Sequence, residues 1–182
     1  MKKKEWNTVE ILRHARHDWL NQMQLIKGNL DLNKLDRVRE IINEIVIEAQ
    51  NESKLSNLNS PQFATLLLTT RWENYSFEFE FQVIDELKCG SIDDTELEKF
   101  TKQIFVLLNE SVQRFGENHL IVTIETMQQG SRFFFDFSGI IERKDLIEQF
   151  LQSINVGITV ERFYISETEM VLEVFTPYRS NS

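Results

Sequence analysis

From Val9 to Leu30 the apolar side chains return at helical spacing. Val9, Leu12, Trp19, Met23, Ile26 and Leu30 form one stripe. Glu10, His14, His17, Asn21 and Gln24 follow one another at steps of four and three, so they line the opposite, polar face. This pattern predicts a helix from about Glu5 to Leu30, ended by the turn chemistry of Asn29 to Asn33 with Gly28 just before it. A second amphipathic helix is predicted from Lys34 to Leu58. Its stripe is Leu35, Val38, Ile42, Ile45 and Ala49, widened by Ile41 and Leu55. Two long helices joined by a short turn make an antiparallel hairpin. Alone, such a hairpin cannot cover both stripes. Pairing with a second copy as a four-helix bundle covers them, so a homodimer is expected.

Ser60-Pro61 divides the chain into a hairpin domain, 1–60, and a second domain, 61–182. Ser60 suits an N-cap and Pro61 the first helical turn, so a helix is predicted to restart there and run to Glu73. The period then becomes two: Phe77, Phe79, Phe81 and Val83 alternate with Glu78, Glu80 and Gln82, as in a half-buried strand. Asp93 and Asp94 open a helix with Leu97, Phe100, Ile104, Leu107, Leu108 and Val112 at helical spacing, ending near Gly116 as a C-cap. Strands over His119–Met127 and Arg132–Phe137 flank the turn Gln128-Gln129-Gly130-Ser131. A helix over Arg143–Gln152 and a hairpin of Val156–Ile165 and Glu169–Phe175 complete the chain. The second domain therefore reads as an α+β sandwich: one mostly antiparallel sheet with helices on one face.

Composition narrows the partners. The chain has 182 residues and 41% hydrophobic side chains, enough for a buried core, with only 6 Gly and 2 Pro. A net charge of -9 disfavours nucleic acid, which needs a basic surface. Cys89 stands alone, so no internal disulfide can form, which fits a reduced cytoplasmic setting. No apolar run follows the basic Lys2-Lys3-Lys4 start, and none approaches a membrane span, so neither a signal peptide nor a membrane is expected. Trp6, Trp19 and Trp72 read as packing residues, and Phe77–Phe81 and Phe133–Phe137 as strand core.

The run RHDWLNQMQLIKGNL resembles the phosphoacceptor box of the sporulation initiation phosphotransferase B family, and LNKLDRVREIINEIVIEAQNESKLSNL continues the likeness. The box is also similar to that of citrate- and fumarate-type sensor histidine kinases, in which a His followed by an acid precedes an Asn. His17, Asp18 and Asn21 match that pattern position by position. The resemblance implies a phosphorelay intermediate: His17 takes a phosphoryl group from the aspartate of one response regulator and hands it to the aspartate of a second. Because no metal cluster is visible in the sequence, Mg²⁺ is expected on the regulator, with no cofactor or metal bound by this chain.

The chemistry agrees. Neutral imidazole attacks phosphorus in line, and a metaphosphate-like transition state needs charge neutralisation rather than covalent help. Arg13 and Arg16 are candidates to face the transferring oxygens. Asp18 is a candidate to fix the tautomer, although neighbours along a helix face each other poorly. Asn21 and Gln24 share the His17 face as partner contacts. His14, one turn earlier, is the alternative acceptor or a helper, and its plainer reading is a surface residue. His14, His17 and Asp18 have spacing for a metal, but no further strong ligand accompanies them. His119 reads as a residue at a strand start.

Leu107-Leu108-Asn109-Glu110-Ser111 stands where histidine-kinase ATPase domains carry their Asn box. Phe135-Asp136-Phe137-Ser138-Gly139 resembles a degenerate Asp-x-Gly-x-Gly loop with one glycine left. A phosphate cradle needs several free backbone amides. The resemblance therefore implies a kinase-like fold without ATP binding. Two rivals remain: a sensor histidine kinase fragment that uses ATP, and a non-catalytic dimeric adaptor for which His17 is dispensable.

Overall fold

A computed structural model describes residues 6–84, 90–154 and 157–179. The expected helix start at Glu5, the lysines at 2–4, Cys89 and the expected strand start at Val156 lie outside them. The chain forms two compact units, Met1–Glu52 and Ser53–Ser182. The second begins before Ser60 because Leu55 and Leu58 are buried in its core.

In the first unit α1 spans Thr8–Asp31, starting three residues later than the apolar pattern suggests. Asn7 is the reason. Its side chain accepts from Glu10 N (3.0 Å), and the Glu10 carboxylate accepts from Asn7 Nδ2 (2.8 Å) and Asn7 N (3.4 Å), a reciprocal capping box. Gly28 and Asn29 remain helical, and the turn is made by Leu32, Asn33 and Lys34. Asn33 adopts φ 55, a left-handed conformation that Asn tolerates better than most residues. The amides of Leu32 and Lys34 return to the carbonyls of Gly28 and Asn29 at 3.2 and 2.9 Å. α2 then runs over Leu35–Ser56, two residues shorter at its end than expected.

The expected inward stripes divide in two. Val38 and Ile41 are buried, and Ile26 and Ile45 are half-buried, as is Ile11 outside the expected stripe. Val9, Leu12, Trp19, Met23 and Leu30 of α1, with Leu35, Ile42 and Ala49 of α2, are exposed in the single chain. The reason is geometric. Two helices meet along a narrow seam, so only one edge of a broad apolar stripe reaches the neighbour. Polar groups also take seam positions: Gln22 Nε2 donates to Glu48 Oε2 at 3.3 Å, and Asp18, one turn before Gln22, is half-buried. Trp19 is 59% exposed in one chain.

The second unit opens with α3, Pro61–Thr70, three residues shorter than expected. Ser60 does not cap it; its hydroxyl donates to Leu58 O (3.2 Å). The cap comes from Asp94, whose carboxylate accepts from Gln62 N (2.8 Å) and Phe63 N (2.9 Å). β1, Glu78–Val83, precedes α4, Asp94–Ser111, which Asp93 caps by accepting from Glu96 N at 3.1 Å. α4 ends at Ser111, before the expected Gly116. Val112 turns extended and bridges Ile141, so the chain leaves the helix to pair.

β2, His119–Thr126, and β3, Gly130–Ser138, form a hairpin closed by Met127 N donating to Gly130 O at 2.9 Å. α5 is Lys144–Gln152, and β4, Thr159–Ile165, pairs with β5, Glu169–Pro177. The sheet order is β1-β2-β3-β5-β4. Three pairings are antiparallel, but β1 runs parallel to β2, which the crossover through α4 requires. Alternation sends Leu120, Val122, Ile124, Phe133, Phe135 and Phe137 into the core with Phe63, Phe105 and Leu108 from the helices. Phe63 meets Phe133 edge-on, with ring centroids 5.2 Å apart. The Phe-rich runs are strand core, as their alternation predicts.

Candidate functional site

His17 stands in mid-helix on α1, where the backbone ladder is complete and the side chain is fixed at its root. Its side chain is 72% exposed. Two groups meet the same ring nitrogen: Asn21 Nδ2 lies 3.1 Å from His17 Nδ1, and Asp18 Oδ1 lies 3.5 Å from it. The Asn21 contact follows from helical spacing, since residues four apart are neighbours. The Asp18 contact arises although consecutive residues on a helix point apart. Both contacts hold Nδ1, the nitrogen nearer the backbone, and leave Nε2 at the solvent end.

The structure therefore brings together His17, Asp18 and Asn21. Arg13, Arg16 and Gln24 are exposed on the same helix, and among the described residues none makes a hydrogen bond or ion pair to the imidazole. His14 differs from the expectation of a plain surface residue: it is half-buried, and Trp6 meets its ring edge-on at a centroid distance of 5.1 Å. Sequence reasoning missed this contact. The available signal was an aromatic residue immediately before an Asn-x-x-Glu capping box. Among the described residues, no group of three His, Cys, Asp or Glu side chains could hold a metal ion.

The second unit carries the glycine remnant. Five consecutive amides follow Ser138, and all are committed inside the protein. Gly139 N donates to Thr168 O, Ile140 N to Asn118 Oδ1, and Ile141 N to Glu167 O. Glu142 N and Arg143 N both donate to Ser111 O. Asn109, in the Asn-box position, accepts from Ser76 N at 2.7 Å and so fixes the approach to β1. Asn118, buried, donates to Ser76 O and Gln113 O at 2.8 Å each. His119 lies at the start of β2, within 3.4 Å of Glu80.

Two family models cover almost the whole chain. The SpoOB-type sensor kinase alpha-helical domain matches residues 1–58, and the C-terminal domain of sporulation initiation phosphotransferase B matches residues 59–177. The chain belongs to the sporulation initiation phosphotransferase B family. It is 38% identical over 168 residues to sporulation initiation phosphotransferase B of Bacillus subtilis (strain 168), covering 91% of this chain and 88% of that one. The catalytic domain of histidine kinase ThkA is 15% identical, with a TM-score of 0.46 over 68% of this chain and 92% of that one. The histidine kinase AdeS of Acinetobacter baumannii is 10% identical, with a TM-score of 0.45 over 90% and 98% of the two chains. His17, Asp18 and Asn21 lie within residues 1–58, the span matched by the alpha-helical domain model, and no helix among the described residues is long and apolar enough to cross a membrane.

Proposed function

We propose that this chain is a phosphorelay phosphotransferase in sporulation initiation, with His17 as the residue that carries the phosphoryl group between two response regulators. The observation that carries the assignment is the exposed His17 imidazole, held at Nδ1 by Asn21 and Asp18, in a chain of the phosphotransferase B family. A carboxylate beside Nδ1 favours the tautomer protonated there, and the Asn21 amide can serve it by presenting its carbonyl instead of its NH₂. The Nε2 lone pair then faces solvent.

The transfer is two in-line displacements. Nε2 attacks the phosphorus of an aspartyl phosphate, the P–O bond to the regulator breaks, and its carboxylate leaves. The phosphorylated ring is cationic, with its Nδ1 proton near Asp18. The aspartate of a second regulator then attacks phosphorus and the P–N bond breaks. Mg²⁺ on the regulator would neutralise the transferring oxygens, with Arg13 and Arg16 as candidates to add to it. Gln24 is a partner contact on the same helix.

The proposed assembly is a homodimer in which Trp19, Met23, Leu30, Leu35 and Ile42 meet a second copy as a four-helix bundle. The exposed apolar face supports this, because such a face is stabilised by removal from water. The proposed compartment is the cytoplasm, where response regulators act. The reading without ATP is supported by the Gly139 loop, whose five consecutive amides each donate to an acceptor inside the protein.

The test is a choice of donor. Incubation with a response regulator carrying labelled aspartyl phosphate should put acid-labile, base-stable label on the chain, and γ-labelled ATP with Mg²⁺ should not. Label from ATP would make the chain a kinase. Label from neither donor would make it an adaptor.

A further inference from the structure

α1 carries two imidazoles one turn apart, and the structure treats them differently. His17 is open. His14 is half-buried with the Trp6 ring against it, centroids 5.1 Å apart and planes at 82°. Trp6 lies outside the helix, just before the Asn7 cap, and the capping box fixes where the chain enters α1. That is the position from which an apolar side chain folds back over the first turns of a helix. We propose that Trp6 is a specificity-determining residue, shielding His14 so that only His17 accepts a phosphoryl group.

Approach to the ring nitrogen separates the two histidines. For attack in line, a phosphorus with its three oxygens and leaving group must come along the lone pair of a ring nitrogen. An indole standing edge-on to His14 occupies part of that space and part of the water that would solvate the charged product. Among the described residues, His17 meets small polar groups, both at Nδ1, which leaves Nε2 clear of them. Without the shield the two histidines would compete, and a phosphoryl group on His14 would sit one turn from the place where a docked regulator can retrieve it. The inference rests on the reading of His17 as acceptor, but its test does not need a regulator.

The probe is potassium phosphoramidate. An imidazole nitrogen attacks its phosphorus, the P–N bond breaks, ammonia leaves, and the ring gives up a proton to water. The chain has 3 histidines, and peptide mapping under alkaline conditions follows each one: His14, His17 and His119, with His119 on β2 as the internal reference. In the wild type His14 should be labelled more slowly than His17. Trp6→Ala should raise the His14 rate about fivefold, the factor that matches the ~1 kcal/mol of an aromatic contact. The rates at His17 and His119 should stay where they were. Trp6→Phe, which keeps a ring, should stay close to the wild type. A His14 rate unchanged by Trp6→Ala, or a rise at all three histidines together, would overturn the proposal. Failure of the phosphotransferase reading would look different: phosphoramidate would still discriminate His14 from His17, while a phosphorylated regulator would leave the chain unlabelled.

Discussion

The Asn21 side-chain amide lies 3.1 Å from His17 Nδ1, one helical turn away. Together with Asp18, this contact holds Nδ1 and leaves Nε2 free. It involves no tertiary packing, so it is present wherever α1 is formed. Asn21→Ala removes a hydrogen bond worth about 1 kcal/mol, and phosphoryl uptake should fall about fivefold with helicity unchanged. The check is the initial rate of label transfer alongside circular dichroism. Unchanged uptake would leave Asn21 no part in orienting the ring.

Ile41 and Ile42 are neighbours with opposite surroundings. Ile41 is 2% exposed and Ile42 44% exposed in the single chain. Ile42→Asp should therefore preserve the hairpin while weakening the proposed dimer. Two copies each lose about 1–3 kcal/mol to a desolvated carboxylate, a rise in dissociation constant of at least about 30-fold. Sedimentation across micromolar concentrations measures it. A monomeric wild type, or an Ile42→Asp chain that stays dimeric, contradicts the bundle.

Asp94 caps a helix that begins more than thirty residues before it: Gln62 N and Phe63 N both donate to its carboxylate. Asp94→Ala should cost about 1–2 kcal/mol, the usual loss for an N-cap. A denaturant titration should show a lower midpoint at unchanged slope. An unchanged midpoint would mean that water replaces the carboxylate at no cost.

Asp93 gives a pH dependence. Its carboxyl is held below the usual carboxylate range by the Arg179 guanidinium and then by Glu96 N–H. A folded-state value that is depressed contributes stability above the ordinary value near 4, and loses it as pH falls through the lower folded value. The gap in melting temperature between the wild type and Asp93→Asn should therefore be widest at neutral pH and close in acid. A gap independent of pH would show that the carboxylate charge plays no part. Arg179 is 61% exposed and Asp93 32%, so solvent screens the pair and the gap should be small.

Much of the fold was legible because local chemistry dictates it. The spacing of Val38, Ile41 and Ile45 reports a helix, and the alternation of Phe133, Phe135 and Phe137 reports a strand, whatever surrounds them. That His17, Asp18 and Asn21 lie together was legible for the same reason, since they are neighbours on one helix. What escaped was set by residues distant in sequence. α3 looks capped by Ser60, but Asp94 reaches its free amides. α4 looks as though it runs to Gly116, but Val112 leaves it to bridge Ile141. The apolar period also cannot tell Ile41 from Ile42, since both belong to the stripe and only the seam position separates them. Trp6 shows no period at all, and its contact with His14 appears only when the chain entering α1 is placed.

His17 is the centre of the account, and one comparison tests it most directly. A regulator carrying labelled aspartyl phosphate is mixed with the wild type, His17→Ala or His14→Ala, and the label on each chain is followed with time. His17 is exposed and its ring supports no core packing, so Ala there should leave the fold intact. The account predicts that His17→Ala takes up no label and that His14→Ala takes up label at close to the wild-type rate. Label persisting on His17→Ala, or lost with His14→Ala alone, would contradict it.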